Sequence, residues 1–548
     1  MQALEKLLVV MVTLLVSVSS THVRTSPVTM ATTNGDVIGI RKVICEQTVD
    51  VFYGIPFAKP PLGELRFKAP VAADQWECPR NCSVKPNSCW QMVDEVFGNF
   101  SGADMWNPNT PMSEDCLYLN VWRPACTANC DSSKKKPIMV WIFGGSFTTG
   151  TTTLDVYDGT ELAIKNDVVV VSIAYRLGPL GFLYLGTEDA PGNVGLLDQV
   201  MALNWVKDNA ENLGGSADAI TIFGESAGAV SVGFHLLSPL SRDLFKYAIM
   251  ESASPLADWG TIDTSRAVAR ANQLADIVNC PSTTPEARVT CLRQANPADL
   301  TNNQYLNNSI VDFFDLPFPP VVDKHFLPDT PENLISRGEI KNTSVLVGVN
   351  KNEGLYFVVY AFLSYFPLNG TGSLSESQYD DVISYIFTPN VSSSAEFSQL
   401  YPVSSPEDRI KVIDSATGDK LFKCPVVDFA EAYAGLGGRV YMYSFEHRIS
   451  TNAWPEWLGV AHGYEIEVVF GLPLALNSSY TNDEKNLSLN VMGLLTNFAR
   501  TGNPNKADET VWPEYNTETE SYVIINKDGV NVDYKLRRQQ CDFLKTLG

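Results

Sequence analysis

The sequence has few cationic residues for its length. Its 548 residues include 40 Lys and Arg against 62 Asp and Glu, which gives a formal net charge of −22 at neutral pH. Because nucleic-acid-binding proteins carry Lys/Arg patches, this balance argues against a nucleic-acid partner. A negative field of this size would instead concentrate cationic ligands, although the same charge could simply keep an acidic protein in solution.

Long apolar runs are also missing beyond the N-terminus. The run Leu7–Val18 is shorter than the roughly 20 residues that a membrane-spanning helix needs. A lysine precedes this run and small residues follow it, which is typical of a secretory signal peptide. We therefore predict a signal peptide at residues 1–19, no membrane anchor and a secreted, extracellular mature chain.

Cysteine is present in an odd number, 11. In an oxidising compartment most of these residues form disulfides, and at least one thiol stays unpaired or pairs with another chain. Spacing alone suggests the local pairs Cys78–Cys82 and Cys126–Cys130, which would leave Cys45 unpaired. No Cys/His spacing typical of a zinc site occurs, so we expect no metal and no other cofactor.

Export is also indicated by eight N-x-[ST] glycosylation sequons. Eight such motifs in a secreted chain predict several surface glycans. Their asparagines are Asn81, Asn99, Asn307, Asn342, Asn369, Asn390, Asn477 and Asn486.

The order of apolar segments indicates the fold class. Buried-strand runs such as "PIMVWIFG" and "DVVVVSIAYR" alternate with helical patterns from about residue 115 onward. Such alternation predicts an α/β fold with a large, mostly parallel central sheet flanked by helices. The sequence has no repeat, low-complexity linker or charge block, so we predict a single catalytic domain over residues 20–548, with long surface insertions.

A candidate nucleophile stands between a strand and a helix. "TIFGESAGAV" places Ser226 in a G-x-S-x-G motif after the strand-like "AITIF" and before the helical "AGAVSVGFHLL". A strand–turn–helix of this kind lifts the serine hydroxyl above the sheet edge, where a base can activate it. The motif alone is weak, and the structural alternative is a turn with a capping serine. The context favours the nucleophile.

The base is one of five histidines. His22 lies beside the predicted cleavage site, and His235 lies too far down the helix from the serine to turn back. The chain order of nucleophile, acid and base then leaves His325, His447 and His462. We prefer His462, because it is the most loop-like of the three and the furthest C-terminal.

The acid of such a triad is less clearly marked. "SVLVGVNKNEG" places Glu353 just beyond a strand, between the nucleophile and the candidate bases. A carboxylate in this position would hold the imidazole tautomer and stabilise the imidazolium. A glutamate before a glycine is as often a plain surface turn, so both interpretations stay open on this evidence.

Long motifs carry more information than these single residues. They are "GIPFAKPPLGELRFKAP", "MSEDCLYLNVW", "APGNVGLLDQVMALNWV", "GESAG", "GVNKNEG" and "WPEWLGVAHGYEIEVVFGLPL". Together they resemble the cholinesterase and type-B carboxylesterase family of the α/β-hydrolase superfamily, from about residue 54 to residue 545. The resemblance implies an α/β-hydrolase fold with a deep active-site gorge and a triad of Ser226, Glu353 and His462. The implied disulfides are Cys89–Cys116, Cys280–Cys291 and Cys424–Cys541.

The stretch "SGADMWNPN" resembles the choline-binding segment of that family. The resemblance implies that Trp106 receives a quaternary ammonium group, which an aromatic face solvates well. Glu225 and Tyr356 are implied to complete the choline site. The residues implied at the gorge mouth are Asp94, Tyr305 and Tyr360.

The implied acyl pocket departs from the strict acetyl-specific pattern. Its residues by resemblance are Trp259, Phe314, Leu316 and Phe357. Leu316 stands where that pattern has a second phenylalanine. Because one methylene is worth about 1–3 kcal/mol in such a pocket, we expect some tolerance of propionyl and butyryl esters.

The glycine turn in "WIFGGSFTTG" is implied to form part of an oxyanion hole. The N–H groups of Gly145 and Ser146, with that of Ala227, would bind the developing oxyanion. Each such donor contributes about 2.7–4 kcal/mol in the transition state. Ser146 stands where the family has glycine, and its hydroxymethyl group would narrow the site beside the nucleophile.

The resemblance thus implies a serine esterase that hydrolyses acetylcholine to choline and acetate through an acetyl-serine intermediate. One alternative is a carboxylesterase or a broader choline ester hydrolase, and carboxylesterases lack the "DMWNPN" segment. Another is a non-catalytic adhesion protein, which usually loses a triad residue. The end "CDFLKTLG" has neither an aromatic assembly tail nor a hydrophobic anchor tail. We therefore expect a soluble monomer whose partner is a small choline ester.

Overall fold

The computed structural model describes residues 23–125, 135–281, 283–306, 313–475, 478–507 and 509–547. The predicted signal peptide, the suggested pair Cys126–Cys130 and the sequons at Asn307 and Asn477 lie outside these residues.

The strands of these ranges follow in chain order. They are β1 (Arg24–Met30), β2 (Val37–Ile44), β3 (Gln47–Pro56), β4 (Arg80–Asn81), β5 (Ser88–Cys89), β6 (Met112–Ser113), β7 (Tyr118–Pro124), β8 (Lys136–Ile142), β9 (Val169–Ile173), β10 (Tyr184–Thr187), β11 (Ala190–Pro191), β12 (Gly215–Glu225), β13 (Tyr247–Glu251), β14 (Ser344–Asn350), β15 (Arg439–Phe445), β16 (Ser521–Asn526) and β17 (Gly529–Tyr534).

The α-helices are numbered in the same way. They are α1 (Ser101–Asp104), α2 (Thr160–Asn166), α3 (Gly178–Phe182), α4 (Val194–Asp208), α5 (Ala227–Leu237), α6 (Thr264–Ile277), α7 (Pro285–Leu292), α8 (Pro297–Asn302), α9 (Pro331–Ser336), α10 (Leu355–Ala361), α11 (Glu376–Ile386), α12 (Pro389–Ser392), α13 (Ala395–Leu400), α14 (Asp408–Gly418), α15 (Cys424–Gly435), α16 (Ile466–Phe470), α17 (Asn482–Thr501) and α18 (Arg538–Lys545).

One large sheet organises the molecule. Its strand order is β1-β2-β3-β7-β9-β8-β12-β13-β14-β15-β16-β17, with β4 paired to β2. From β9 to β16 every neighbouring pair is parallel, whereas the pairs at both ends of this order are antiparallel. The prediction of an α/β fold with a mostly parallel central sheet flanked by helices is confirmed.

The central strands explain why apolar runs predicted them. All five residues of β9 and all seven of β14 are buried. A strand covered by helices on both faces needs continuous apolar sequence rather than alternation. The carboxyl ends of parallel strands lie at one edge of the sheet, which is where open α/β sheets bind their ligands. The loops after β8, β12 and β14 meet at this edge.

Three disulfides occur in the described ranges. They are Cys89–Cys116, Cys280–Cys291 and Cys424–Cys541, with Cα–Cα distances of 5.0, 5.6 and 5.1 Å. The pairing of Cys78 with Cys82 suggested by spacing is wrong, because both thiols are free, as is that of Cys45. The extended strand β4 lies between the two residues, and extended chain advances about 3.3 Å per residue. Extended chain between the two cysteines does not favour the close approach of about 7 Å or less that a disulfide needs.

The surface agrees with the sequon pattern. All six sequon asparagines within the described ranges are exposed: Asn81, Asn99, Asn342, Asn369, Asn390 and Asn486. Two kinds of feature are absent from the same ranges. None of their helices combines the length and hydropathy needed to cross a bilayer, and no group of three or more His, Cys, Asp or Glu side chains is placed to hold a metal ion.

Candidate active site

The candidate nucleophile occupies a strained turn. Ser226 joins β12 to α5 with φ of +55° and ψ of −125°, a conformation that costs a non-glycine residue about 1–3 kcal/mol. Its backbone N–H donates to the Glu251 carbonyl at 2.9 Å, which fixes the turn to the neighbouring strand β13. A Cβ atom added to Gly144 would lie 3.0 Å from that of Ser226. Glycine at 144 therefore lets the loop after β8 approach Ser226 closely.

The structure brings the candidate base and acid together. His462 Nδ1 and Glu353 Oε2 are 2.6 Å apart, and the Glu353 side chain is fully buried. The other carboxylate oxygen of Glu353 accepts the backbone N–H of Asn350, the last residue of β14, at 2.5 Å. The carboxylate is thus held by the strand end and oriented toward the imidazole. This is the tautomer-fixing arrangement that a triad requires.

The two loops that carry this pair are joined to each other. Asn352 donates its backbone N–H to the Val460 carbonyl at 3.0 Å and accepts the Val460 N–H on its side chain at 2.9 Å. Asp414 of α14 accepts the backbone N–H groups of Gly354 and Leu355 at 3.2 and 3.0 Å. The acid loop is therefore fixed both to the histidine loop and to a helix behind it.

The second imidazole nitrogen is buried beside Glu225 in the site. His462 Nε2 lies 3.1 Å from Glu225 Oε1 and has no hydrogen-bond partner among the described residues. The ring is held by aromatic packing on Phe422, 4.4 Å between centroids, and on Phe357, 5.0 Å away. The free nitrogen is the one that a triad base uses on its nucleophile, and such hydrogen bonds tighten only when substrate binds.

The loop after β8 presents two free N–H groups. Gly145 and Ser146 have φ of +109° and +56°, and neither donates its backbone N–H to another residue of the described ranges. The Gln91 side chain holds the end of the loop, since it accepts the Gly150 N–H at 2.9 Å and donates to the Gly150 carbonyl at 2.8 Å. With the N–H of Ala227 at the start of α5, these donors are available to an oxyanion.

Ser226, His462 and the loop after β8 open onto one cavity of about 160 Å³. It is lined by Trp106, Gly144, Gly145, Ser146, Thr149, Gly150, Leu154, Tyr157, Glu225, Ser226, Tyr356, Phe357, His462 and Gly463. Gly463 has φ of +79°, and an added Cβ would touch Glu225 Oε1 and Trp106 at 3.5 and 3.6 Å. The histidine loop therefore turns tightly beside these two residues.

The predicted choline residues form one wall of this cavity. Trp106 packs edge-on against Tyr464, with 6.0 Å between ring centroids. The Tyr356 and Tyr360 hydroxyls are 3.3 Å apart, and that of Tyr360 donates to Asp94 at 2.6 Å. Burial raises the pKa of Tyr356 well above its usual value, so its ring stays neutral. Aromatic faces beside carboxylates suit a cation.

The residues predicted at the gorge mouth divide into two groups. Asp94 and Tyr360 are joined by their hydrogen bond and continue the wall that contains Tyr356. Tyr305 is 42% exposed and is not among the residues that line the cavity.

The predicted acyl-pocket residues form a layered group rather than one surface. Phe357 lines the cavity, Phe314 packs on Phe357 at 4.6 Å, and Trp259 packs on Phe314 at 5.4 Å. Leu316 belongs to the hydrophobic core and does not line the cavity. Contact with an acyl chain would therefore come first from Phe357.

Sequence reasoning missed the residue that packs most closely on the base. Phe422 is fully buried and also stacks on Phe357 at 5.2 Å. It lies on a π-helical turn, Asp419–Lys423, between α14 and α15. Such turns interrupt α-helices and often occur at functional sites. A lone phenylalanine in a helical pattern gives no signal that it packs on the candidate base.

The other histidines of the described ranges have structural environments. His235 is buried, its ring nitrogens bond to Gln199 and Ser241 at 2.8 Å each, and burial lowers its pKa to about 3. His447 bonds to Glu484 at 3.3 Å, away from the cavity, and His325 is exposed on the surface. Of the four histidines in the described ranges, only His462 lines the cavity together with Ser226.

Fold and site together define the class of protein: a serine hydrolase of the α/β-hydrolase type. The sequence profile of the carboxylesterase family matches residues 26–544. The chain belongs to that family.

Three curated proteins are similar to this chain over most of its length. The chain is 42% identical over 528 residues to an acetylcholinesterase of Bungarus fasciatus, covering 95% of this chain and 86% of that one. It is 41% identical over 523 residues to a cholinesterase of Mus musculus, with coverage of 94% and 86%. It is 40% identical over 583 aligned positions to an acetylcholinesterase of Electrophorus electricus, with coverage of 99% and 92%.

Proposed function

We propose that this chain hydrolyses acetylcholine to choline and acetate by acyl transfer through Ser226. The observation that carries the proposal is the single cavity that contains Ser226, His462, two free backbone N–H groups and the Trp106 face beside Glu225. The first three are the parts of an acyl-transfer site. The last supplies a surface for a quaternary ammonium group. The names of the relatives, acetylcholinesterase and cholinesterase, point to the same substrate.

In the first half of the reaction the ester acylates the serine. The substrate carbonyl oxygen binds the N–H groups of Gly145, Ser146 and Ala227. His462 Nε2 takes the Ser226 proton while Glu353 stabilises the imidazolium at Nδ1. The serine oxygen bonds to the carbonyl carbon, and the tetrahedral intermediate collapses. Choline leaves with the proton from His462.

In the second half water replaces choline. His462 takes a proton from this water, which attacks the acetyl carbonyl in the same oxyanion site. The intermediate collapses, the acetyl–serine bond breaks, and the proton returns to Ser226. Acetate leaves and the resting site is restored.

A broader acyl specificity is a second element of the proposal. Phe357 is the member of the predicted acyl group that lines the cavity, with Phe314 and Phe422 packed behind it. Leu316 lies nearby in the core where the strict pattern has a bulkier ring. Leu316 does not itself line the cavity, so it would act through the packed rings to allow some tolerance of propionyl and butyryl esters, where one methylene is worth about 1–3 kcal/mol.

We also propose that the chain acts outside the cell. Three disulfides and six exposed sequon asparagines in the described ranges support this location, because such bonds and glycans form in the secretory route. Expression in a eukaryotic cell tests it. We expect active protein in the medium, with a mass that falls on treatment with an N-glycosidase.

The decisive experiment measures hydrolysis of acetylthiocholine and of S-(3,3-dimethylbutyl) thioacetate, its uncharged analogue. We expect the cationic ester to be preferred and Ser226→Ala to lower kcat about 10⁴–10⁶-fold. Ser231→Ala, one turn further along α5 and also buried, is the matched control and should retain activity. Full activity of Ser226→Ala would exclude this mechanism, and equal kcat/KM on both esters would exclude the choline site.

A further inference from the structure

A buried carboxyl group outside the triad remains unexplained. Glu251 is the last residue of β13 and lies opposite Glu225 in the parallel pairing of β13 with β12. Its carbonyl accepts the Ser226 N–H. Residues paired in register on neighbouring strands point to the same face of the sheet. The side chain of Glu251 is therefore directed toward the same buried region as that of Glu225.

The charged and titratable groups around Glu251 are all acids or phenols. They are Glu225 from β12, Glu465 from the turn before α16, and Tyr443 from β15. Burial, reinforced by neighbouring carboxylates, raises the pKa values of Glu225, Glu251 and Glu465, the last to about 8. No Lys or Arg of the described residues forms an ion pair with Glu225, Glu251 or Glu465. All three cannot be ionised together.

Hydrogen-bond partners separate the three acids. Glu465 accepts from the Asn350 side chain at 2.5 Å and from Ser252 at 3.4 Å. Glu225 Oε1 also has no donor among the described residues, but Glu225 borders the cavity and lies 3.1 Å from the His462 ring. Glu251 is fully buried, and neither of its carboxyl oxygens has a donor among the described residues. A buried carboxylate without donors is the least stable anion of the three.

We propose that Glu251 is the protonated member of this acid cluster and donates its proton as a hydrogen bond to its carboxylate neighbours. It thereby acts as a positioning residue that keeps Glu225 ionised beside the choline wall. The neutral acid also removes the repulsion that a third buried anion would add. Glu251 touches neither substrate nor His462 in this role, and acts through Glu225.

The inference rests on the proposed function and predicts that substitution of Glu251 changes the KM of a cationic ester but not that of an uncharged one. Glu251→Met has similar length but no donor, so Glu225 should lose its stabilisation as an anion. We expect the KM for acetylthiocholine to rise about tenfold, as for loss of one nearby charge in a partly screened site. The KM for uncharged S-(3,3-dimethylbutyl) thioacetate and the kcat for both esters should change less than twofold.

Glu251→Gln is the conservative variant, because its amide retains an N–H donor and carries no charge. We expect it to keep the wild-type preference for the cationic ester. Glu467→Met controls for the loss of a buried acid, since Glu467 lies two residues beyond Glu465 and bonds to Tyr480 instead. This control should leave the ratio of the two KM values unchanged.

Infrared spectroscopy gives a readout that needs no substrate. The carbonyl stretch of a protonated carboxylic acid, shifted in D₂O, should be present in the wild type and lost in Glu251→Gln. The same band in both proteins would overturn the proposal, even if Glu251→Met fails to fold. So would a Glu251→Gln variant that loses the cationic preference, because Glu251 would then carry the charge itself. An inactive wild type that shows the band would contradict the proposed function and leave the acid cluster standing.

Discussion

Two histidine–glutamate pairs in this molecule look alike in sequence and differ in chemistry. His462 and Glu353 are 2.6 Å apart, and His447 and Glu484 are 3.3 Å apart. Both glutamates are buried, and both histidines follow the candidate nucleophile in the chain. A histidine paired with a buried carboxylate is therefore insufficient evidence for a catalytic base.

The surroundings of the two glutamates explain the difference. Glu484 lies in the first turn of α17 and forms a capping box with Thr481, and it also accepts two hydrogen bonds from Ser450. The hydrogen bonds that Glu484 accepts fix the N-terminal end of α17. Glu353 accepts one backbone N–H and otherwise serves His462, whose second nitrogen faces the cavity. The free side of the ring, rather than the pair, distinguishes a base from a structural histidine.

Glu353→Gln should lower kcat more than any other substitution discussed below, because it disrupts the pair of His462 and Glu353. The amide keeps the size of the side chain but cannot stabilise the imidazolium or fix the same tautomer. We expect kcat for acetylthiocholine to fall about 10⁴-fold, as in an equivalent serine-protease substitution. Stopped-flow or burst kinetics should show the loss in both acylation and deacylation, because His462 is the base in both steps. A variant within tenfold of the wild type would show that His462 works without Glu353.

Glu484→Gln makes the matching change in the other pair and should affect stability instead. Although burial opposes ionisation, hydrogen bonds from Ser450 and Thr481 lower the pKa of Glu484 to about 2. The unfolded value is about 4.3, so the ionised group stabilises the fold fully above that pH. This contribution is lost as the pH falls from about 4 toward 2.

The variant should therefore lose about 1.5–3 kcal/mol of unfolding free energy at pH 7 and much less near pH 2. Denaturant unfolding at several pH values, with kcat measured on the folded protein, checks both points. A tenfold fall in kcat without loss of stability would place His447, not His462, near the chemistry.

The two pairs also show what the sequence could predict. Buried strands such as β14 and the turn at Ser226 follow from continuous apolar runs and from glycine spacing, which are local properties. The choice between His447 and His462 depends on which loop returns to the sheet edge, a long-range contact that no spacing records. Family resemblance implied the same residue, His462, that loop character and chain position had already favoured. It did not supply Phe422, because a helical apolar residue carries no mark of the ring that it packs against.

Phe422→Val tests how aromatic packing distinguishes the surroundings of His462 from those of His447. Phe422 packs on the His462 ring at a tilt, 4.4 Å between centroids, and stacks on Phe357 at 5.2 Å, whereas no aromatic ring of the described residues packs on His447. Removing it should widen the space behind Phe357. We expect kcat/KM for butyrylthiocholine relative to acetylthiocholine to rise about tenfold, the effect of one or two methylenes. An unchanged ratio would show that Phe422 only supports His462.

Ser146→Gly should have the smallest effect, because it changes the shape of the catalytic end without touching either histidine pair. Ser146 lines the cavity beside Ser226, and its φ of +56° suits glycine better than serine. Glycine keeps the backbone N–H, so hydrolysis of acetylthiocholine should change less than threefold. Removal of the hydroxymethyl group leaves more room next to the nucleophile. Bulky carbamates and organophosphates should then inactivate the variant several-fold faster than the wild type, an effect of about 1 kcal/mol. Equal inactivation rates would show that the Ser146 side chain points away from the reacting carbonyl.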